Sequence, residues 1–566
     1  MTTPVANPAK LDITQRVSFL SNVSGAKDGE YENMKTPPAA DIEGGALREG
    51  GAPNLFSREY IGVVTQYAAV GLIDAVLPAT IYPFLQNYLN VEGKTYLTAS
   101  TLVALPWSFK VFYGILSDCV PIFGYRRRPY MILGWSICIA MLFIMSFMPV
   151  GDPFWKYPDD ASIDPETHPE DYAEARARAN FAAPGKGGKY VFIMMLSAFG
   201  YLMSDVCADG VVVELAQREP LAVRGTTQAT IYGTRTAFNI VGQLIVGFAF
   251  NGHQYGGNFD FSLSFTTLML ILAFCMVPMI FVTWFFIKEE KHEPMLFKPY
   301  VAELWRLVQL RAVYQVIFYQ FFSNVFSAMS YTPASLVQRY LVHVTPINNT
   351  LSGILGNLTF LAGITITGKY GLHWNWRMII VVTGVGVIAL DSITTMITIW
   401  DVFRSQWLWL GLPIAIQVPA GISFLISTFV VVELAGEGNE GACYGLLTTV
   451  SNLAQPFAAS LTKIIDRNWD FSDERIQRDT HDVRMDITWA VLIMYVSSIV
   501  SWGFLYFLPP QKEATQKLKR EGGSSRVLGA ITVFYISFAL VWSVMTNIMG
   551  IFDSTSCLII AGGDGC

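Results

Sequence analysis

Apolar blocks of about 20 residues or more recur along this chain, the length of helix that spans the roughly 30 Å hydrocarbon core of a bilayer. Of its 566 residues 52% are hydrophobic and only 14% charged, where a soluble protein carries roughly a quarter charged. The chain reads as an all-α polytopic membrane protein that meets the lipid bilayer over most of its length. Against that background a charge inside a span is costly, at least about 2.5–3.5 kcal/mol at the bilayer centre, and marks a functional position with a partner to be found. Lys110, in Leu105-Pro-Trp-Ser-Phe-Lys110, is such a charge.

Taken in order, residues 1–57 are rich in Pro, Gly, Ala and charge, and are expected to form a disordered cytoplasmic tail. Six spans follow within 58–290, at roughly 60–88, 97–117, 129–150, 190–213, 227–250 and 263–287. A second set fills 291–510, at roughly 312–335, 350–370, 377–399, 408–433, 441–464 and 486–508, after a segment near 297–310 that reads as an amphipathic helix. The last part, 511–566, holds a basic linker, a thirteenth apolar run near 527–552 and a short tail in which Cys557 and Cys566 can pair or remain free. Arg126, Arg127 and Arg128 crowd one short turn, and positive charge in short turns marks the cytoplasm. The N-terminus is then cytoplasmic, and the acidic loop 151–189 and the mixed loop 465–485 lie outside, as does the Asn348-Asn-Thr350 sequon. Basic residues are scattered over turns instead of forming one stripe, so nucleic acid is not an expected partner. The six histidines fall in loops or at span ends and no HExxH or CxxC spacing occurs, so no metal or other cofactor is expected. No nucleophile–base spacing points to an enzyme.

The hexapeptide Val-Val-Val-Glu-Leu-Ala occurs at 211–216 and again at 430–435, 219 residues apart, closing the fourth span of each set. The turn Gly124-Tyr-Arg-Arg-Arg corresponds loosely to Gly371-Leu-His-Trp-Asn-Trp-Arg377, at a shift near 250. The difference matches the extra length of loop 151–189 over loop 400–407. Two parallel six-helix halves, with a site between them near the midplane, are the organisation of major facilitator transporters. Gly114-Ile-Leu-Ser-Asp118, followed by Gly124-Tyr-Arg126-Arg127-Arg128, resembles that superfamily's signature between helices 2 and 3. In that reading Gly114 allows close helix contact, and Asp118 pairs with arginine as a cytoplasmic latch of the two halves when the cavity faces out, with Glu214 at the same face. The longer string from Leu105 to Tyr130, and Asp205-Val-Cys-Ala-Asp209-Gly-Val-Val-Val-Glu214, are similar to the folate–biopterin transporter family. The resemblance runs from about 58 to about 508 and is weaker in the second half, where Glu433, Glu437 and Glu440 only loosely match. It implies a carrier for folate, pterin (biopterin) or a related metabolite such as S-adenosylmethionine, and does not choose among them.

Independently of that resemblance, the spans hold Asp74, Lys110, Asp205, Asp209, Arg235 and Asp391. Asp205 and Asp209 are four apart, hence on one helix face. Two carboxylates that close raise one another's proton affinity unless a cation lies between them, and Lys110 or Arg235 can be that cation. Lys110 stands about 12 Å of helix from Asp118, too far to reach the membrane edge by snorkelling. Asp74, Lys110, Asp205, Asp209 and Arg235 are therefore the expected substrate-binding or coupling residues, and Asp391 is expected to be structural. A flat pterin ring offers donors to carboxylates, and a folate tail adds two carboxylates for which arginine is a forked partner. The expected activity is secondary active transport by alternating access in a monomer, with proton coupling open, in a plasma or organellar membrane. A sugar–proton symporter of the sucrose-carrier type is the nearest rival, because Arg126-Arg-Arg-Pro129-Tyr is similar to its arginine-rich turn. A receptor on a carrier fold that binds without transporting is the rival from another class.

Overall fold

The computed structural model describes residues 50–566 except 164, 166, 217, 219–225, 290, 292–295, 371–373, 435–439 and 564. The tail to residue 49, the Gly371-Leu-His part of the second basic turn, and Glu437 thus lie outside the described residues. Long helices account for the architecture, and no β-ladder longer than an isolated bridge occurs among the described residues. Among the described residues nine helical stretches are long and apolar enough to cross a membrane: Ile61–Tyr88, Gly93–Cys119, Arg128–Phe147, Pro184–Val212, Phe265–Phe286, Trp376–Ile399, Gln406–Phe424, His481–Phe507 and Arg526–Met549.

Four more helices occupy the places of spans 5, 7, 8 and 11: Thr226–Ala249, Arg311–Ser327, Pro346–Tyr370 and Glu440–Asp466. Their polar content sets them apart. Span 5 carries Arg235, Asn239 and Gln243, span 7 Gln315, Gln320 and Asn324, and span 11 Asn452, Gln455 and Lys463. Helices with polar side chains at membrane depth face protein or a cavity rather than lipid. Spans 5, 8 and 11 accordingly take part in contacts between the first six spans and the second six.

Within the first set, small residues let backbones approach closely, as membrane helix packing requires. A Cβ on Gly71 of span 1 would fall 2.3 Å from the Arg235 carbonyl of span 5, and one on Gly134 of span 3 would fall 2.5 Å from the Gly200 carbonyl of span 4. The resulting core gathers residues from Ala69 to Met279 together with Ile551, and separate cores gather residues 307–539 and 331–495. The repeated hexapeptide ends two long helices in equivalent places, Gly187–Ala216 and Gln406–Leu434, although Ala435 lies outside the described residues. Span 1 passes into a π-helix at Ile81–Tyr88, and the segment after span 7 does the same at Val337–Leu341.

Two loops are more ordered than their composition implied. Residues 151–189 contain the helices Pro158–Ser162 and Pro169–Ala177, each with Pro in its first turn followed by acidic residues. Buried Phe154, Trp155 and Ala175 root this lobe on the first core. Loop 465–485 contains the helix Asp473–Gln477. The expected amphipathic segment is the helix Phe297–Gln309. The final helix, Arg526–Met549, packs on spans 2, 7 and 11, and Cys557 is disulfide-bonded to Cys566. The Asn348 sequon is not in an open turn. It lies in the first turn of Pro346–Tyr370, half-buried, with its amide bonded to Gln406 at 2.7 Å, which is poor access for glycosylation.

Candidate functional site

Span 2 is broken where the sequence reads Leu-Pro-Trp-Ser-Phe. The α-helix Gly93–Ala104 gives way to a 3₁₀ stretch, Leu105–Phe109, and resumes as Lys110–Cys119. Pro106 lacks the N–H that a continuous helix uses, and a mid-helix 3₁₀ stretch leaves backbone groups without their usual partners. Two of these are met from the second six spans: Asn452 of span 11 donates to the Trp107 carbonyl at 3.1 Å, and the Val111 N–H donates to Thr449 Oγ1 at 3.3 Å.

Lys110 opens the resumed helix and points its amine at span 4. Its Nζ lies 3.1 Å from Asp205 Oδ2 and 3.3 Å from Asp209 Oδ2, between two carboxylates spaced one helical turn apart. Arg235 of span 5 completes the group, 3.7 Å from Asp205 Oδ1 and 3.4 Å from Asp74 Oδ2 of span 1. All five expected residues therefore meet in one cluster built by spans 1, 2, 4 and 5. Three aromatic residues hold it. Tyr67 donates to Asp209 and Tyr201 donates to Asp74 at 2.9 Å, while the Trp107 ring has Lys110 Nζ at 4.6 Å and the Arg235 guanidinium at 4.8 Å from its centroid. Asp205 is fully buried, whereas the Asp209 side chain is 33% exposed. Asp391 does not join the cluster; its partners, Thr395 and Tyr495, belong to its own half.

At the end of the bundle that bears the arginine turn, Arg127 pairs with Asp118 at 3.1 Å. Glu214 and Glu289 also favour the Arg127 charge. Glu289, which the sequence reading passed over, accepts the backbone N–H groups of Arg126, Arg127 and Arg128, each at 2.8 Å, and so caps span 3. Gly124 adopts φ +83°, the left-handed conformation that lets the turn close. A Cβ on Gly210 would lie 2.4 Å from Arg127 Cζ, so that glycine makes room for the guanidinium. One expectation changes here. A Cβ on Gly114 would meet nothing within 4 Å, so Gly114 does not serve helix contact in this conformation. Asp118 and Arg127 both belong to the first six spans, and in this conformation their bond braces the turn within one half.

The two halves are joined instead at the opposite end, beside the ordered lobe. Arg339 donates to the carbonyls of Gln86 and Asn87, which the π-helical end of span 1 leaves free, and Tyr82 donates to the Val344 carbonyl at 2.9 Å. Asn90 donates to Asp473 at 2.6 Å, and the Tyr340 hydroxyl lies 2.9 Å from Asn90 and 3.1 Å from Asp473. Arg176 pairs with Glu474, and Tyr172 donates to Gln477 at 2.8 Å, so the lobe itself bridges the halves. Burial pushes the Asp473 carboxyl up to about 7, an effect that Arg339 opposes only in part. Also at this end, Lys463 of span 11 is 2% exposed, bonded to Thr98 of span 2 at 2.9 Å and to Asn547 of the last helix at 3.0 Å. Sequence alone does not single out Lys463 or Asn547: Lys463 closes an apolar run three residues before Asp466, as a span-end charge ordinarily does, and Asn547 is uncharged.

Comparison with known proteins agrees with this architecture. The BT1 family model matches residues 71–152 and 186–526. The folate-biopterin transporter of Synechocystis sp. is 24% identical over 484 residues, covering 83% of this chain and 85% of that protein. A probable folate-biopterin transporter 5 of Arabidopsis thaliana is 38% identical over a shorter stretch of 69 residues, 12% of this chain and 14% of that protein. Among solved structures, the D-xylose-proton symporter superposes with a TM-score of 0.53 at 12% identity, covering 80% of this chain and 98% of that one. A peptide transporter POT in complex with sulfate gives 0.52 at 11% identity, covering 83% and 98%. These two share the fold, the major facilitator architecture of paired six-helix halves. With well over half of its length matched by the family model, the chain belongs to the BT1 family.

Proposed function

We propose that this protein carries a folate, a pterin or a related metabolite such as S-adenosylmethionine across its membrane, using the cluster around Lys110 to bind and couple. Family and fold make the chain a secondary transporter. The substrate class rests on the relatives' folate and biopterin names and on the chemistry of the cluster. One observation carries the reading: two cations and three carboxylates from spans 1, 2, 4 and 5 meet in one cluster inside the helix bundle, the kind of intramembrane charge group that marks a substrate or ion site. A purely structural purpose would be served more cheaply by apolar packing, because burying ion pairs costs more desolvation than it commonly returns.

By the positive-inside rule the arginine end faces the cytoplasm, and the joined lobe end faces the far side. The conformation is then closed outside. Rocking the halves apart there would break the Asn90–Asp473–Tyr340, Arg339 and Lys463–Thr98 bonds. The cluster would move as a unit, since all five of its members lie within residues 58–290. Uptake of labelled folate, biopterin and S-adenosylmethionine into proteoliposomes, with and without a pH gradient, tests the reading. Saturable uptake of at least one is expected, and its stimulation by an acid exterior would add proton coupling. Failure of all three to be transported or exchanged would overturn it.

A further inference from the structure

The cluster is unbalanced. Counted in their ionised forms, Asp74, Asp205 and Asp209 exceed Lys110 and Arg235 by one negative charge. Both cations are engaged: Lys110 bridges two carboxylates, Arg235 bridges two, and the Trp107 ring stands against each. The second six spans offer no replacement at this depth. Between Ala312 and Leu508 the charge inside a span and away from its ends is Asp391; Lys369, Arg377, Glu433, Lys463 and Asp486 stand at or next to span ends, and Lys463 is buried at the lobe end against Thr98 and Asn547. The group left facing outward from the cluster is a carboxylate, because Asp209 is the most exposed of the five side chains. Asp205 Oδ1, fully buried, has no hydrogen-bond donor and only the Arg235 guanidinium at 3.7 Å. The approach agrees in sign, since the lobe 151–189 at the joined end carries eight acidic residues against five Lys and Arg.

We infer that this excess carboxylate selects the charge of the cargo: the site takes a substrate through a neutral or cationic nitrogen-rich edge seated on Asp209, and discriminates against a dianionic tail. The inference rests on the cluster being the binding site. Tyr67 and Lys110 each occupy one lone pair on the two Asp209 oxygens, and a carboxylate has about four, so the parallel N–H donors of an amino-pyrimidine edge can still be accepted there, while a cationic amine supplies the missing positive charge outright. A glutamyl tail instead brings two negative charges to a site whose cations are already bound, and like-charge juxtaposition is strongly unfavourable. Among the compounds considered above, an unconjugated pterin or a cation is thereby preferred to folate.

The test compares folic acid with its dimethyl ester, which keeps the ring and the size and removes both tail charges. Binding of each to the detergent-solubilised full chain is measured by displacement of labelled biopterin at pH 7.5. The ester is expected to bind at least about tenfold more tightly than the acid, and Asp209→Asn to shrink that ratio toward one by improving the acid. Folic acid binding as tightly as its ester, or Asp209→Asn shifting both equally, overturns the charge inference. A separate outcome speaks to the site: if Lys110→Met and Asp205→Asn leave biopterin binding at the wild-type level, the cluster is not where the ligand sits.

Discussion

Replacing Lys110 by methionine, which keeps its length and removes its charge, strands two carboxylates that the fold has brought within 3.1 and 3.3 Å of one amine. Asp205 would feel it most, being fully buried and left with the Arg235 guanidinium at 3.7 Å. Removing one partner of a buried pair costs about 3–5 kcal/mol. The remaining arginine, and the water that reaches the 33% exposed Asp209, place the expected cost at the low end, about 3 kcal/mol. Expressed in transport, that is a loss of about two decades in initial rate. The assay is uptake in proteoliposomes together with the melting temperature in detergent, so that a misfolded variant is recognised. Asp205→Asn in the Lys110→Met background removes the stranded charge and is expected to restore at least about a tenfold part of the loss, whereas Asp391→Asn, whose partners are Thr395 and Tyr495, restores none. Wild-type uptake by Lys110→Met, or equal rescue by both asparagines, would refute the reasoning.

Two further outcomes follow from the lobe end. Asp473 titrates near 7 when the halves are joined and at the ordinary value of about 3.9 once solvated, so the joined state holds the extra proton between these limits. Its stability is therefore full at low pH, falls as pH rises from about 4 to about 7 by at most about 1.4 kcal/mol per unit, and is flat above; Arg339 and Glu92 are the nearby charges that set the value. Spin-label distances across this end should show more closed molecules on acidification, and the same pH dependence in Asp473→Asn would count against the assignment. Asn547→Leu strips Lys463 of one of its two bonds and should lower stability in detergent by about 1–3 kcal/mol, with Lys463→Met in the same chain recovering most of it. No recovery would mean that the last helix is held by something other than this contact.

How far the site could be read from sequence depended on whether its parts share a helix. Asp205 and Asp209 could be placed together because a spacing of four fixes their common face, and Lys110 stood out because few charges lie in these spans. Their convergence with Asp74 and Arg235 is tertiary, set by close approaches at Gly71 and Gly134 that no local pattern announces. The break in span 2 had its signal in Pro106, yet a proline in a membrane helix does not say which backbone groups it frees or what meets them. Lys463 was legible as a charge near the end of an apolar run, where snorkelling to water is the ordinary outcome. The last helix and the disulfide-closed tail cover it instead, which only the packing reveals. Gly114 shows the opposite case. A motif supplied a role for it, and the space around it is empty in this conformation.

The broken span also bears on how binding at the cluster can reach the other half. All five charged members sit on spans 1, 2, 4 and 5, so rocking the two halves as rigid bodies would leave their mutual distances unchanged and convey nothing by itself. The segment Leu105–Phe109 is placed differently. Its Trp107 ring lies against both Lys110 and Arg235, while its Trp107 carbonyl is held by Asn452 and the next turn's Val111 N–H by Thr449, both on span 11. In the proposed reading, a shift of Lys110 or Arg235 on taking up a substrate or proton would press on that ring, and through one residue's backbone on the bond to Asn452. Span 11 continues from these contacts to Lys463, whose bond to Thr98 is part of the closed end. The chain of contacts runs from charge cluster to broken helix to span 11 to the Lys463–Thr98 bond, with a side-chain bond to backbone where the 3₁₀ stretch leaves span 2 with backbone groups to spare. An unbroken second helix would have satisfied those groups internally and left Asn452 and Thr449 no backbone partner on the opposing half.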